Sequence, residues 1–122
     1  MRTVLIVEDN EKNMKLVRDI LQVKGYRTLE ATTGEDGVRL AHEHGPHLIL
    51  MDIQLPGING IEALTLLRKE PATAKIPVIA VTASVMQQDR KVIMEAGFDA
   101  YIGKPINLKE FLATVQKALG EA

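Results

Sequence analysis

The chain has 122 residues, room for one domain that buries about two-thirds of the surface its unfolded form exposes. Its 15 basic and 16 acidic side chains leave a net charge of -1, which excludes a nucleic-acid binder built on phosphate contacts and a charged disordered tail. Cys and Trp are absent and aromatics are 3%, which removes disulfides, thiolate metal sites, cysteine nucleophiles and base-stacking platforms. The apolar runs span only four or five residues, too few for a membrane helix or the core of a signal peptide. A cytoplasmic protein with no membrane and no nucleic-acid partner is expected.

Val4-Leu5-Ile6-Val7 is a continuous branched run, the pattern of a strand covered on both faces. Residues 11 to 24 follow as an amphipathic helix with Met14, Val17, Ile20 and Leu21 on one face and Gly25 as its stop. A weaker strand runs from Tyr26 to Ala31. Residues 34 to 44 form a second helix, with Thr32 and Glu35 at capping-box spacing. Leu48-Ile49-Leu50-Met51 is the third strand. Ile61, Leu64, Leu67 and Arg68 mark a third helix that ends before Pro71, and Gly57 and Gly60 read as turn residues. Val78-Ile79-Ala80-Val81 is the fourth strand. Ser84 and Gln87 then repeat the capping-box spacing before Val85, Val92, Ile93 and Ala96, and Gly97 closes that helix. Ala100 to Ile102 is a short fifth strand. Asn107 and Glu110 open the last helix, with Phe111, Leu112, Val115 and Leu119 inward.

Strand and helix thus alternate five times, which predicts an α/β fold with a parallel sheet between two layers of helices. The expected architecture is a flavodoxin-like (βα)5 three-layer sandwich with strand order 2-1-3-4-5, one domain over residues 1–122.

Each buried strand is followed by a polar residue. Glu8-Asp9 follow the first, Asp52 the third, Thr82 the fourth, and Lys104 comes after Ile102-Gly103. In a parallel sheet these positions share the carboxyl edge, where open α/β sheets bind ligands. Three carboxylates brought together repel, each pair by roughly 4 kcal/mol at 4 Å with an effective dielectric near 20. Lys104 supplies one compensating charge, and an all-oxygen site suits Mg²⁺. A carboxylate can serve as nucleophile and form an aspartyl phosphate, with a hydroxyl and an ammonium on the phosphoryl oxygens. The set reads as a phosphoryl-accepting site.

Four segments carry a family resemblance: Val4-Leu5-Ile6-Val7-Glu8-Asp9-Asn10, Leu48 to Gly60 around Met51-Asp52-Ile53-Gln54-Leu55-Pro56, Pro77 to Ala83, and Tyr101-Ile102-Gly103-Lys104-Pro105. In this order and spacing, the chain resembles the receiver domains of bacterial two-component response regulators. With Asn13-Met14-Lys15-Leu16, the wording is nearest to single-domain regulators of cell division.

The resemblance implies that Asp52 takes a phosphoryl group from a phosphohistidine. It implies Mg²⁺ held by Asp9, by Glu8 through water, by Asp52 and by the Gln54 backbone carbonyl. Thr82, Lys104 and the Ala83 N–H would hold phosphoryl oxygens. Lys104-Pro105 matches a cis peptide of the family, and Tyr101 matches its aromatic switch position. The family commonly has Asp where Glu8 stands. The implied partners are a histidine kinase or a histidine phosphotransfer protein. A monomer is expected, with a phosphorylation-dependent dimer as the alternative, and no turnover of an outside substrate. The Met1 start and short tail favour a whole protein over an excised domain.

Plainer readings exist for each residue. Glu8-Asp9 could serve the first helix dipole, Thr82 could support the turn before Ser84, and Lys104 could be a solvated loop residue. His42, His44 and His47 fit a helix end and turn better than a metal site. An aspartyl-phosphate phosphatase would carry a second acid where Gln54 stands. A flavin binder would carry a Ser/Thr/Gly-rich loop where Glu8-Asp9-Asn10-Glu11 stand. Four independent accidents at one sheet edge are less economical than one site.

Overall fold

A computed structural model describes residues 2–83 and 87–121, so the expected cap at Ser84 and the apolar Val85 lie outside the described residues. The elements alternate as expected: β1 (Thr3–Val7), α1 (Glu11–Val23), β2 (Arg27–Ala31), α2 (Gly34–His44), β3 (Leu48–Asp52), α3 (Gly60–Lys69), β4 (Val78–Thr82), α4 (Gln87–Ala96), β5 (Ala100–Gly103) and α5 (Leu108–Ala118). All pairings in the sheet are parallel, in order β2-β1-β3-β4-β5. The expected fold class and strand order are both met.

Two apolar layers sandwich the sheet, because alternate strand residues point to opposite faces. Val4, Ile6, Leu48, Leu50, Ile79 and Ile102 meet α1 and α5 through Leu21, Phe111 and Val115. Leu5, Val7, Ile49, Met51 and Ala80 meet the other helices through Ala41, Leu64, Leu67 and Ile93. Burial on both faces is why these strands read as unbroken apolar runs.

Local chemistry sets the helix ends. The Asn10 side chain accepts from Asn13 N–H at the start of α1. At its end, Gly25 N–H donates to Gln22 O and Tyr26 N–H to Leu21 O, with Gly25 at φ 88°. Asn59 and Glu62 form a reciprocal capping box on α3.

One expectation needs correction. The N-cap of α2 is Thr33, whose hydroxyl accepts from Asp36 N–H, so Thr32 and Glu35 do not form the cap. The shift places Gly34 and Gly37 inward, where an added Cβ would sit 2.7 Å from Ile58 Cγ1 and 2.7 Å from Val7 Cγ2. In α4, Ile93 is buried against the sheet and Val92, about 100° further round the helix, is 56% exposed.

Of the three histidines, His47 ties the opposite edge together. His47 Nδ1 accepts from Thr3 N–H at 3.0 Å. His42 and His44 sit in the last turn of α2, before Gly45 at φ 56°.

Candidate functional site

The site forms where strands stop. Asp52 is the last residue of β3 and Thr82 the last of β4. Glu8 follows β1, held by its N–H on Ala31 O at 3.0 Å. Lys104 follows β5, held by its N–H on Thr82 O at 2.8 Å. The ladder thus runs one residue beyond the assigned strands and fixes where these side chains begin.

Glu8 and Asp52 are buried, at 4% and 5% exposure, while Asp9 is exposed. The Lys104 ammonium lies 2.9 Å from Glu8 Oε1 and 3.0 Å from Asp52 Oδ2. Asp52 Oδ1 accepts from Gln54 N–H at 3.0 Å, which fixes the plane of the carboxylate. Glu8 Oε2 accepts from Asn10 N–H at 3.3 Å. Glu8, Asp9 and Asp52 each offer an oxygen within 4.8 Å of the others. The expected convergence of two acids after β1, one after β3 and a lysine after β5 is therefore present.

This arrangement resolves the charge problem in a specific way. Burial, and then the hydrogen bond with Asp52, push the Glu8 carboxyl up to about 7, against the pull of Lys104. Burial opposes the Lys104 ammonium, yet its hydrogen bonds to Glu8 and Asp52 outweigh that and hold its pKa above the ordinary lysine value. Three hard oxygen donors at this spacing fit a small divalent cation, which would displace the Glu8 proton and relieve the crowding.

A pH dependence follows. Folded Glu8 keeps its proton up to about 7, whereas an unfolded glutamate loses it near 4.5. Folding therefore takes up a proton between those values, so in chelator the melting temperature should fall as pH rises through that window. Glu8→Gln should flatten the profile. Parallel profiles for the two proteins would mean that Glu8 is already ionised and held by Lys104.

Thr82 is buried beside this group, in register with Gly103 of β5. Ala83 follows at the surface. Tyr101, half-buried on β5, lies three residues before Lys104, outside the carboxylate cluster, and the Arg90 guanidinium carbon lies 5.1 Å from its ring centroid. The Lys104–Pro105 peptide is cis.

The sequence reading missed what Gly60 does. A Cβ there would run into the Asp52 carbonyl oxygen and lie 2.9 Å from Ile53 Cα. Gly60 N–H donates to Ile53 O at 3.0 Å, so α3 starts directly on the backbone that carries Asp52. The signal was the Asn59-to-Glu62 capping box, which puts Gly60 inside the helix.

Residues 4–116 match the response regulator receiver domain family. The chain belongs to that family. The receiver is 47% identical to the polar-differentiation response regulator DivK of Brucella ovis, over 99% of this chain and 98% of that one. DivK of Brucella anthropi is equally similar, at 47% over the same shares. Among solved structures, the receiver domain of a sensor histidine kinase from Pseudomonas aeruginosa PAO1 superposes with TM-score 0.91 at 32% identity, covering 98% of each chain. That structure holds a magnesium ion coordinated in its active site cleft. A CheY-like receiver domain protein from Methanospirillum hungatei JF-1 superposes with TM-score 0.87 at 29% identity, covering 98% of this chain and 94% of that one. The receiver is thus a domain of two-component signalling, and among its described residues no helix is long and apolar enough to cross a membrane.

Proposed function

We propose that Asp52 is the phosphoryl acceptor of this receiver. The observation that carries the reading is a buried carboxylate with one oxygen oriented by Gln54 N–H and the other against the Lys104 ammonium. In the transfer, an Asp52 carboxylate oxygen attacks phosphorus, the P–N bond of a phosphohistidine breaks, and the bonding pair leaves on the imidazole. Charge then builds on the phosphoryl oxygens, where Lys104, the Thr82 hydroxyl and the Ala83 N–H stabilise it. Glu8, Asp9, Asp52 and the Gln54 carbonyl would hold Mg²⁺, which supplies electrostatic stabilisation of the transferring group.

The receiver is a switch and not a turnover enzyme, limited to its own phosphorylation and dephosphorylation. Its donor is a histidine kinase or histidine phosphotransfer protein, and by similarity to DivK its output bears on the cell cycle. It works in the cytoplasm as one domain over residues 1–122, and as a monomer before phosphorylation. The new phosphoryl charge draws Thr82 and Lys104 inward, Tyr101 follows, and the α4–β5–α5 surface changes its partner preference. Coupling of about 1–3 kcal/mol is enough to bias such an equilibrium.

Acetyl phosphate with Mg²⁺, followed by intact mass, tests the acceptor. One phosphoryl adduct is expected on the wild type, with none after chelation and none on Asp52→Asn. An adduct of equal yield on Asp52→Asn would move the acceptor elsewhere.

A further inference from the structure

Tyr101 stands where two hollows meet on the face made by α4, β5 and α5. One, of about 690 Å³, extends toward Met94 and Lys117. The other, of about 560 Å³, extends toward Pro105 and Asn107. Tyr101 lines both, as do Ala113 and Thr114 of α5. The ring also packs on the apolar layer that contains Ala80 and Ile93. Tyr101 is therefore part of the wall that the two hollows share.

One contact bears on that position and has no part in the phosphoryl chemistry. Arg90, exposed on α4, lays its guanidinium over the Tyr101 ring with the carbon 5.1 Å from the centroid. A cation over an aromatic face is held by the ring quadrupole. Among the described residues of α4, Lys91 and Glu95 pair with each other at 4.0 Å, while Arg90 lies against the Tyr101 ring.

We propose that Arg90 is a positioning residue that acts as a brake on Tyr101. Its guanidinium favours the half-buried placement of the ring and must be given up when the ring moves. The inference rests on the reading of Tyr101 as the ring that responds to phosphorylation at Asp52. An exposed contact of this kind changes an equilibrium about two- to fivefold. That is smaller than the roughly 5- to 150-fold range of allosteric coupling. Arg90 therefore sets the resting population of the switch without locking it.

The chain has two tyrosines, so fluorotyrosine labelling of the full chain gives a two-signal ¹⁹F spectrum. Tyr26 is the internal reference, since its hydroxyl donates to Glu121 at 2.6 Å, far from β5 in sequence. Spectra are recorded for wild type, Arg90→Gln and Arg90→Lys, each with Mg²⁺ alone and after acetyl phosphate. Each protein's own phosphorylated position is its end point, and the adduct is verified by mass. Before phosphorylation, Arg90→Gln should raise the population at the Tyr101 end point about two- to fivefold. Arg90→Lys, which keeps a cation, should stay near wild type, and Tyr26 should not move. Equal behaviour of the Gln and Lys variants would overturn the brake, because packing alone would then explain the contact. A wild-type Tyr101 signal that ignores a mass-verified adduct would instead overturn the switch reading itself, and the brake with it.

Discussion

Lys104→Met should separate two properties of the site, raising Mg²⁺ affinity while slowing phosphoryl uptake. The ammonium sits 2.9 Å from Glu8 and 3.0 Å from Asp52, on the oxygens a cation would use. A divalent ion entering that cluster must work against a like charge, and Met removes the competitor while keeping the length of the side chain. In the transfer the same ammonium faces the oxygens where charge develops. Loss of one such donor typically costs about 10²- to 10³-fold in rate. Isothermal titration with Mg²⁺, and the time course of the acetyl phosphate adduct by mass, read the two effects separately. Stability in chelator should fall as well, because Glu8 and Asp52 lose their cation. Breaking a fully buried pair costs about 3–5 kcal/mol. The figure here should be lower, since the Lys104 side chain keeps 17% exposure and Glu8 can retain a proton. Wild-type uptake rates in the variant would remove Lys104 from the transfer, and unchanged Mg²⁺ affinity would show that it leaves the carboxylates unhindered.

The same geometry weighs against the other chemistries open to this fold. An aspartyl-phosphate hydrolase needs an acid two residues after its nucleophile. Here that residue is Gln54, whose backbone N–H orients Asp52 and whose side chain is exposed. A flavin phosphate would meet Glu8 and Asp9 at the end of β1, where the acids would repel it.

What the sequence revealed follows from how the strands are buried. Val4–Val7 and Val78–Val81 are covered on both faces, so neither is interrupted by a polar residue until the sheet edge. The first polar residue after each run therefore marks the edge, and Glu8, Asp52 and Thr82 fell out of that rule. Features set by contact between elements were not legible. Thr32 and Thr33 are each followed three residues later by an acid, so the two caps are equal in sequence. The packing of Gly34 on Ile58 and Gly37 on Val7 chooses Thr33. Val92 and Ile93 are equally apolar, and only the rotation of α4 against the sheet turns one inward. The Arg90 contact with Tyr101 joins two elements whose approach no local pattern encodes.

Gly60→Ala tests how tightly the acceptor backbone is held by α3. Gly60 is the first residue of the helix and has no positive φ, so helix propensity alone predicts a gain of up to about 1 kcal/mol. The surroundings predict the reverse. At Gly34, Gly37 and Gly57 the atom nearest to an added Cβ belongs to a side chain, of Ile58, Val7 and Glu35, and not to the backbone. At Gly60 it is the carbonyl oxygen of Asp52, with Ile53 Cα at 2.9 Å behind it. Neither backbone atom can move without opening the Gly60 N–H bond to Ile53 O or shifting the β3 end against β4. Overpacking of this kind costs about 1–3 kcal/mol. For a domain of this size that lowers the melting temperature by roughly 5–15 °C. Phosphoryl uptake, measured well below the transition so that the chain is folded, should slow too, because relief of the clash displaces the peptide that carries Asp52. Gly34→Ala is the control, expected to lose stability with uptake little changed. Equal uptake by Gly60→Ala and wild type would mean that α3 can retreat from β3 without disturbing the carboxylate, and that the close approach serves packing alone.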